Sequence, residues 1–304
     1  MVHKQSLKSA MLPVALIGGA IFYKWMGYVT FLSPYLIFAM LFITYCRLEL
    51  KDFRLGRFQI VLLIVQMLLA GLTYFALLPV GHTVAEGVFI CVFIPTATAA
   101  PVITSMLGGS ITKVATYSLL CNIVVSITGP VILAAVGDHS EYTFFQSLGL
   151  IMAKVFPLLM FPIVGALLVT RFAPRLHKTL VCNQALSFYL WAISLFIIVG
   201  SCVSFVINHW RPADTFNMAA LSLGALGVCL IQFKIGRVVG RRFNDAVSGG
   251  QSLGQKNTVL AVWLALAYMN PIASVAPAAY IAWQNIINSW QLIRHNSHQT
   301  NTSL

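Results

Sequence analysis

Two short segments hold most of the polar chemistry that this chain places inside apolar stretches. The first is Pro95-Thr-Ala-Thr-Ala-Ala-Pro101, followed by Gly108-Gly109; the second runs from Gly249-Gly250 through Gly254-Gln-Lys-Asn257. Proline lacks a backbone donor and glycine tolerates non-helical backbone, so both segments are expected to interrupt helices and free main-chain carbonyls. Around them stand hydroxyl and amide side chains, Thr96, Thr98 and Thr104 at the first, and Ser252, Asn257 and Thr258 at the second, with Asn285 further on. Lys256 adds a single ammonium. This is the chemistry of binding and passing a small ion rather than of making or breaking bonds. There is no His-Glu-x-x-His helix and no acidic pair for phosphate chemistry, so no enzyme activity is expected. Cys46, Cys91, Cys121, Cys182, Cys202 and Cys229 lack the spacing of a metal site or disulfide framework and read as small packing residues. No catalytic residue, metal or cofactor is assigned.

The elements that carry these segments must be membrane helices. Of 304 residues, 59% are hydrophobic and 9% charged, against about 25% charged in soluble domains. Reading apolar runs against Gly, Pro and charge gives ten spans, near 9–27, 33–48, 57–79, 85–108, 112–136, 146–170, 183–208, 215–236, 248–269 and 272–292. They leave no room for a soluble domain. The net charge of +12 is therefore read as topology, and nucleic acid is not an expected partner. Lys4, Lys8, Arg47, Lys51, Arg54, Arg57, Lys113, Arg171, Arg175, Lys178, Lys234, Arg237, Arg241, Arg242 and Arg294 fall on one side, which accounts for 15 of the 19 basic residues. Lys24 and Arg211 fall on the other. The positive-inside rule then puts both termini in the cytoplasm of a multi-pass protein, expected in a bacterial inner (plasma) membrane.

Five spans end near residue 142, so residues 1–142 and 143–304 are expected to form two inverted five-helix repeats, an all-α plan with broken helices as the fourth span of each half. Breaks at matching places in two halves point to a transport site near the bilayer midplane.

The two segments also resemble the bile acid:sodium symporter family of ten-span organic-anion carriers. Pro95, Thr98, Val102, Thr104 and Gly109 match its fourth-span pattern, P-G-G-[TS]-x-S-N-V-x-[TS]-x-x-x-x-G. Gly254, Asn257 and Thr258 match its ninth-span E-x-G-x-Q-N-[ST], and Trp283-Gln-Asn285 its W-x-N. The resemblance implies a core of spans 3–5 and 8–10 and a panel of spans 1, 2, 6 and 7. It also implies crossing of helices 4 and 9 at their unwound middles, and alternating access to a small organic anion bound beside that crossing. Thr96, Thr98, Thr104, Asn257, Thr258 and Asn285 are the expected substrate contacts.

The departures from the family pattern carry more information. Where sodium-coupled members hold Ser-Asn, this chain has Ala100 and Pro101; where they hold Glu and Gln, it has Ser252 and Lys256. A sodium ion wants several oxygen ligands, and a fixed ammonium in the same volume would repel it. The expectation is a sodium-independent carrier in which Lys256 replaces the ion on the helix-break carbonyls, near Gln66, Ser118 and Ser252, the last four residues away on one helical face. Proton-coupled symport through Lys256 is the alternative, as is a snorkelling Lys256 with a structural role. Lys154 is expected to snorkel and Lys113 to anchor a cytoplasmic end. A non-transporting membrane sensor and a passive channel are the readings from other classes. The expected partners are a small organic anion, membrane lipid and, in the alternative, protons.

Overall fold

The computed structural model describes residues 14–46, 55–97, 99–137, 143–183, 185–209 and 214–302. Among them there is no β-strand. After helical residues 14–21, the chain forms α1 (Tyr23–Val29), a 3-10 turn (Thr30–Leu32) and α2 (Ser33–Cys46). Then follow α3 (Arg57–Leu77), α4 (His82–Phe93), α5 (Ala100–Met106), α6 (Ile111–Val136), α7 (Phe144–Phe172), α8 (Pro174–Cys182) and α9 (Ala185–His209). The last are α10 (Asp214–Arg241), α11 (Ala246–Gly254), α12 (Thr258–Tyr268), a 3-10 turn (Pro271–Ser274) and α13 (Val275–Thr302).

Six of the described helical stretches are long and apolar enough to cross a membrane: Tyr23–Cys46, Arg57–Leu77, Ile111–Val136, Phe144–Phe172, Tyr189–Asn208 and Asp214–Arg241. The chain is thus an all-α protein of membrane type. The count falls below ten for physical reasons. The fourth and ninth expected spans are each divided into two short helices, α4 with α5 and α11 with α12. The first two meet at a 3-10 turn and count as one stretch. Helix α13 has the length, but Gln284, Asn285, Asn288 and Gln291 lower its apolarity. The loop residues Lys4, Lys8, Arg47, Lys51, Arg54 and Arg211 lie outside the described residues.

The chain divides into two compact units. One comprises Met1–Glu49, Ser126–Thr215 and Val259–Ser274. Within it α2 packs against α7 and α9, and Ile37, Met40 and Leu41 are fully buried. Small residues let the N-terminal helices approach α9 closely, as is usual where lipid supplies no hydrophobic drive between helices. A Cβ added to Gly19 would lie 2.4 Å from the Phe196 carbonyl oxygen, and one added to Gly200 2.2 Å from Met26 Cγ. The hydroxyls of Thr30 and Ser201 are hydrogen-bonded beside this contact.

The other unit comprises Leu50–Val125, Phe216–Thr258 and Val275–Leu304. It contains α3, α4, α5, most of α6, α10, α11 and α13. Its tightest feature is the approach of α11 to α10. A Cβ on Gly236 would fall 2.3 Å from the Gly249 carbonyl oxygen, and one on Gly249 2.1 Å from that of Gly236. Two helix backbones touch there, and no side chain fits between them.

The turn joining α10 to α11 is held as tightly. Asn244 has φ 55°, and the Asp245 carboxylate caps α11 by accepting from the Ser248 backbone N–H at 3.0 Å. Its other oxygen meets Lys113 Nζ at 3.3 Å, and the same ammonium donates to the Phe243 carbonyl at 3.4 Å and stands 5.4 Å from the centre of the Phe58 ring. Lys113 is therefore a tie between α6, α3 and this turn. Burial alone would raise the Asp245 carboxyl, but hydrogen bonds from Ser248 and the charge of Lys113 outweigh it and hold it below the usual carboxylate value.

Gly236→Val is expected to destabilise the protein by about 1–3 kcal/mol through overpacking, read as a lower melting temperature in detergent. Gly227→Ala is the control. A Cβ there meets nothing within 4 Å, so its melting temperature stays level or rises slightly. The lowered Asp245 carboxyl makes a stability contribution that is complete above the ordinary carboxylate range, about pH 4, and is lost as pH falls through its depressed value. Melting curves between neutral pH and pH 3 should therefore fall more steeply for the unmodified protein than for Asp245→Asn; parallel curves would remove Asp245 from the account.

Candidate functional site

Helix α4 stops where Pro95 forces the preceding residue out of the helical region: Ile94 is extended at φ −58°, ψ 148°. The chain runs extended through Thr96 and re-enters a helix with Pro101 at the start of α5, where a missing N–H costs nothing. In the second segment α11 ends at Gly254. The Phe233 ring lies so close to this glycine that a Cβ would be 2.4 Å from it, and Gln255 is extended at φ −97°, ψ 105°.

The two extended pieces pair with each other. Thr96 and Lys256 form an isolated antiparallel bridge, with Ala97 N donating to the Gln255 carbonyl and Asn257 N to the Pro95 carbonyl, both at 2.9 Å. Each break thus supplies partners to the other.

The remaining freed groups are met by side chains from neighbouring helices. Gln66 of α3 donates to the carbonyls of Phe93 at 2.9 Å and Ile94 at 3.2 Å. Its own carbonyl oxygen accepts from the Tyr117 hydroxyl of α6. Lys256 Nζ donates to the same Ile94 carbonyl at 3.1 Å. Ser118 reaches the Thr96 carbonyl at 3.3 Å, and Thr96 Oγ1 donates to that of Ser252 at 2.6 Å. Gln232 of α10 donates to the Cys91 carbonyl at 3.3 Å and to the Tyr280 hydroxyl at 3.0 Å; Tyr280 donates onward to the Gly254 carbonyl at 2.8 Å.

Helix α13 presents a polar face to this region. Gln284 Oε1 accepts from the Lys256 backbone N–H at 2.9 Å. Asn288 donates to Gln255 Oε1 at 3.0 Å, and Gln251 donates to both Asn288 and Gln291 at 3.1 Å. Tyr280, Gln284, Asn288 and Gln291 recur every three or four residues, which aligns them along one side of the helix.

Lys256 is 1% exposed, which removes the snorkelling reading. Among the described residues no carboxylate pairs with it. Its ammonium sits at the carbonyl end of α4, the negative end of that helix dipole, a position that favours a cation. The Ser252 hydroxyl, fully buried, has no hydrogen-bond partner among the described residues.

Of the residues expected from sequence, Thr96, Gln66, Ser118, Ser252, Lys256, Asn257 and Thr258 gather at the paired breaks. Ser252 and Lys256 do not share a helical face, because α11 ends between them at Gly254; the bridge to Thr96 brings both to one place. Gln66 does not accept the ammonium. It is a second donor to the carbonyl that the ammonium uses. Asn285 turns back to its own helix, donating to the Ile281 carbonyl at 2.7 Å, and its neighbour Gln284 makes the contact to the break. Thr104 likewise bonds within α5, to the Ala100 carbonyl at 2.8 Å. Ala100 is buried and Pro101 half-buried at the start of α5. Thr98 lies outside the described residues. Lys154 is exposed. Glu86, in α4, is fully buried, with His82 3.5 Å away.

Tyr117, Gln232 and Tyr280 were not singled out by sequence. The signal for Tyr280 is the polar periodicity of α13; Tyr117 lies between Thr116 and Ser118, and Gln232 two residues before Lys234, with no spacing that marks either. The segment Gly250-Gln-Ser-Leu-Gly254 has the spacing of a serine nucleophile turn. It lies within helix α11, no strand precedes it, and no histidine contacts Ser252 among the described residues. Compared with known proteins, the chain matches no protein-family model and no curated protein.

Because Gln66 also serves the Ile94 carbonyl, removing the ammonium does not orphan that group. Lys256→Met is expected to stabilise the protein, by roughly 1–4 kcal/mol, the range found when buried ion pairs are replaced by apolar side chains. Lys154→Gln, at an exposed position, should change stability by no more than about 0.5 kcal/mol. Melting temperatures of the three proteins decide this, and a destabilised Lys256→Met would make the ammonium a structural tie alone.

Proposed function

We propose that this chain is a secondary transporter of a small organic anion, working by alternating access and independent of sodium, with the Lys256 ammonium standing where a coupling cation would. One observation carries the reading. A buried ammonium without a carboxylate partner among the described residues is held on the carbonyl end of an interrupted helix, where two interrupted segments pair. Interrupted membrane helices are the usual setting of midplane transport sites, with anionic substrate groups and cations held by opposite helix ends. A fixed positive charge there attracts an anion and disfavours sodium.

The wider plan belongs to the same proposal: ten crossings in two inverted repeats, 1–142 and 143–304, a core of spans 3–5 and 8–10 moving against a panel of spans 1, 2, 6 and 7, and both termini in the cytoplasm of a bacterial inner membrane. The family resemblance in Pro95–Gly109 and Gly254–Thr258 supports this plan, as does the occurrence of breaks in both halves. The protein is then a carrier and not an enzyme. Proton-coupled symport through Lys256 is the second reading, favoured by an ammonium whose one hydrogen-bond acceptor among the described residues is the Ile94 carbonyl.

The test is uptake of candidate organic anions into proteoliposomes. Saturable uptake should persist, within about twofold, when sodium is replaced by potassium or choline, and a strict sodium requirement overturns the assignment. Acceleration by an inward proton gradient, lost in Lys256→Gln, would select the proton-coupled form.

A further inference from the structure

A second cationic feature lies beside the middle of α11, one turn before the paired breaks. Arg237 projects from α10 across the bare backbone of Gly250: a Cβ on that glycine would meet Arg237 Cγ at 2.8 Å and Nε at 3.3 Å. The guanidinium is half-buried and feels the positive charges of Arg241, one turn further along α10, and of Arg294 on α13. Arg294 itself lies over the Trp290 ring, 5.6 Å from its centre. Among the described residues, none of the three guanidiniums has an ion-pair or hydrogen-bond partner. The nearest acid along the chain, Asp245, is occupied by Lys113 at 3.3 Å and by Ser248. Lys234 and Arg242 add exposed positive charge to the same end of α10.

Like charges gathered from two helices, one of them half-buried, repel unless an anion joins them. Each guanidinium brings five donors in a planar fork that fits two oxygens of a phosphate. Trp290, 55% exposed, is the kind of side chain that stands at the boundary between hydrocarbon and headgroups. Basic pockets between helices at this level bind lipid phosphates.

We infer that Arg237, Arg241 and Arg294 form a binding site for a phosphate oxyanion, supplied by the headgroup of an anionic phospholipid. The bound phosphate joins α10 to α13 above Gly250 of α11. It thereby steadies the half-helix that leads to Lys256. The absence of a side chain at Gly250 is what lets Arg237 lie flat at this place.

The purified full chain in neutral detergent is melted with increasing dioctanoyl phosphatidylglycerol, dioctanoyl phosphatidylcholine or inorganic phosphate, at constant ionic strength. Phosphatidylglycerol should raise the melting temperature saturably, and phosphatidylcholine should not. Arg237→Gln and Arg294→Gln should each weaken the apparent affinity about tenfold. Arg171→Gln removes an exposed positive charge from α7 and should leave the affinity unchanged. If Arg237→Gln fails to fold, Arg294→Gln at its exposed position decides alone. A shift with inorganic phosphate that depends on the same arginines keeps the site and makes its ligand a solute. No saturable shift with either ligand, or an equal loss in Arg171→Gln, overturns the proposal.

Discussion

Hydrocarbon offers a peptide group nothing to bond with, so any interruption of a membrane helix must be answered from within the protein. The two breaks, at Pro95 and after Gly254, release carbonyls and N–H groups along the chain from Cys91 to Ala97 and from Ser252 to Asn257. Much of the described unit that contains them can be understood as the response. The extended pieces bond each other across the Thr96–Lys256 bridge. Gln66, Ser118, Gln232, Tyr280 and Gln284 come in from α3, α6, α10 and α13 to take what is left.

Lys256 differs from these amides and hydroxyls in carrying a charge. A neutral donor would satisfy the Ile94 carbonyl as well, and Gln66 already does so. Charge at that position costs desolvation that a structural role does not require. The excess is what points to function, because an ammonium brings a full charge for an anion and a proton to exchange, and a second glutamine brings neither.

Precise placement of the breaks rests on closeness elsewhere. Gly236 and Gly249 bring α10 and α11 into backbone contact, and Gly254 admits the Phe233 ring. The Asp245 cap and the Lys113 tie hold the turn between those helices. The arginines beside Gly250 add a third fixed point once an anion joins them. Together these contacts deliver the end of α11 to the place where its freed carbonyls can be met.

Several of these features were legible in the sequence because they are local. Apolar composition and charge spacing require membrane helices, and Pro95, Pro101 and the glycines mark the interruptions by backbone chemistry that holds in any surroundings. The unusual lysine is equally visible as a charge inside an apolar stretch. Partner choice is not local. Gln284 and Asn285 are neighbours of similar chemistry, yet only the first faces the break, since helix rotation sets direction. Ser252 and Lys256 were expected on one helical face because the pattern did not show where α11 stops. Thus the sequence by itself determined that this protein lies in a membrane with interrupted helices and a lysine beside the second interruption. Only the tertiary structure decided that the interruptions pair with each other and that the ammonium rests on the Ile94 carbonyl, because those bonds join residues some 160 positions apart in the chain, 162 for Lys256 and Ile94.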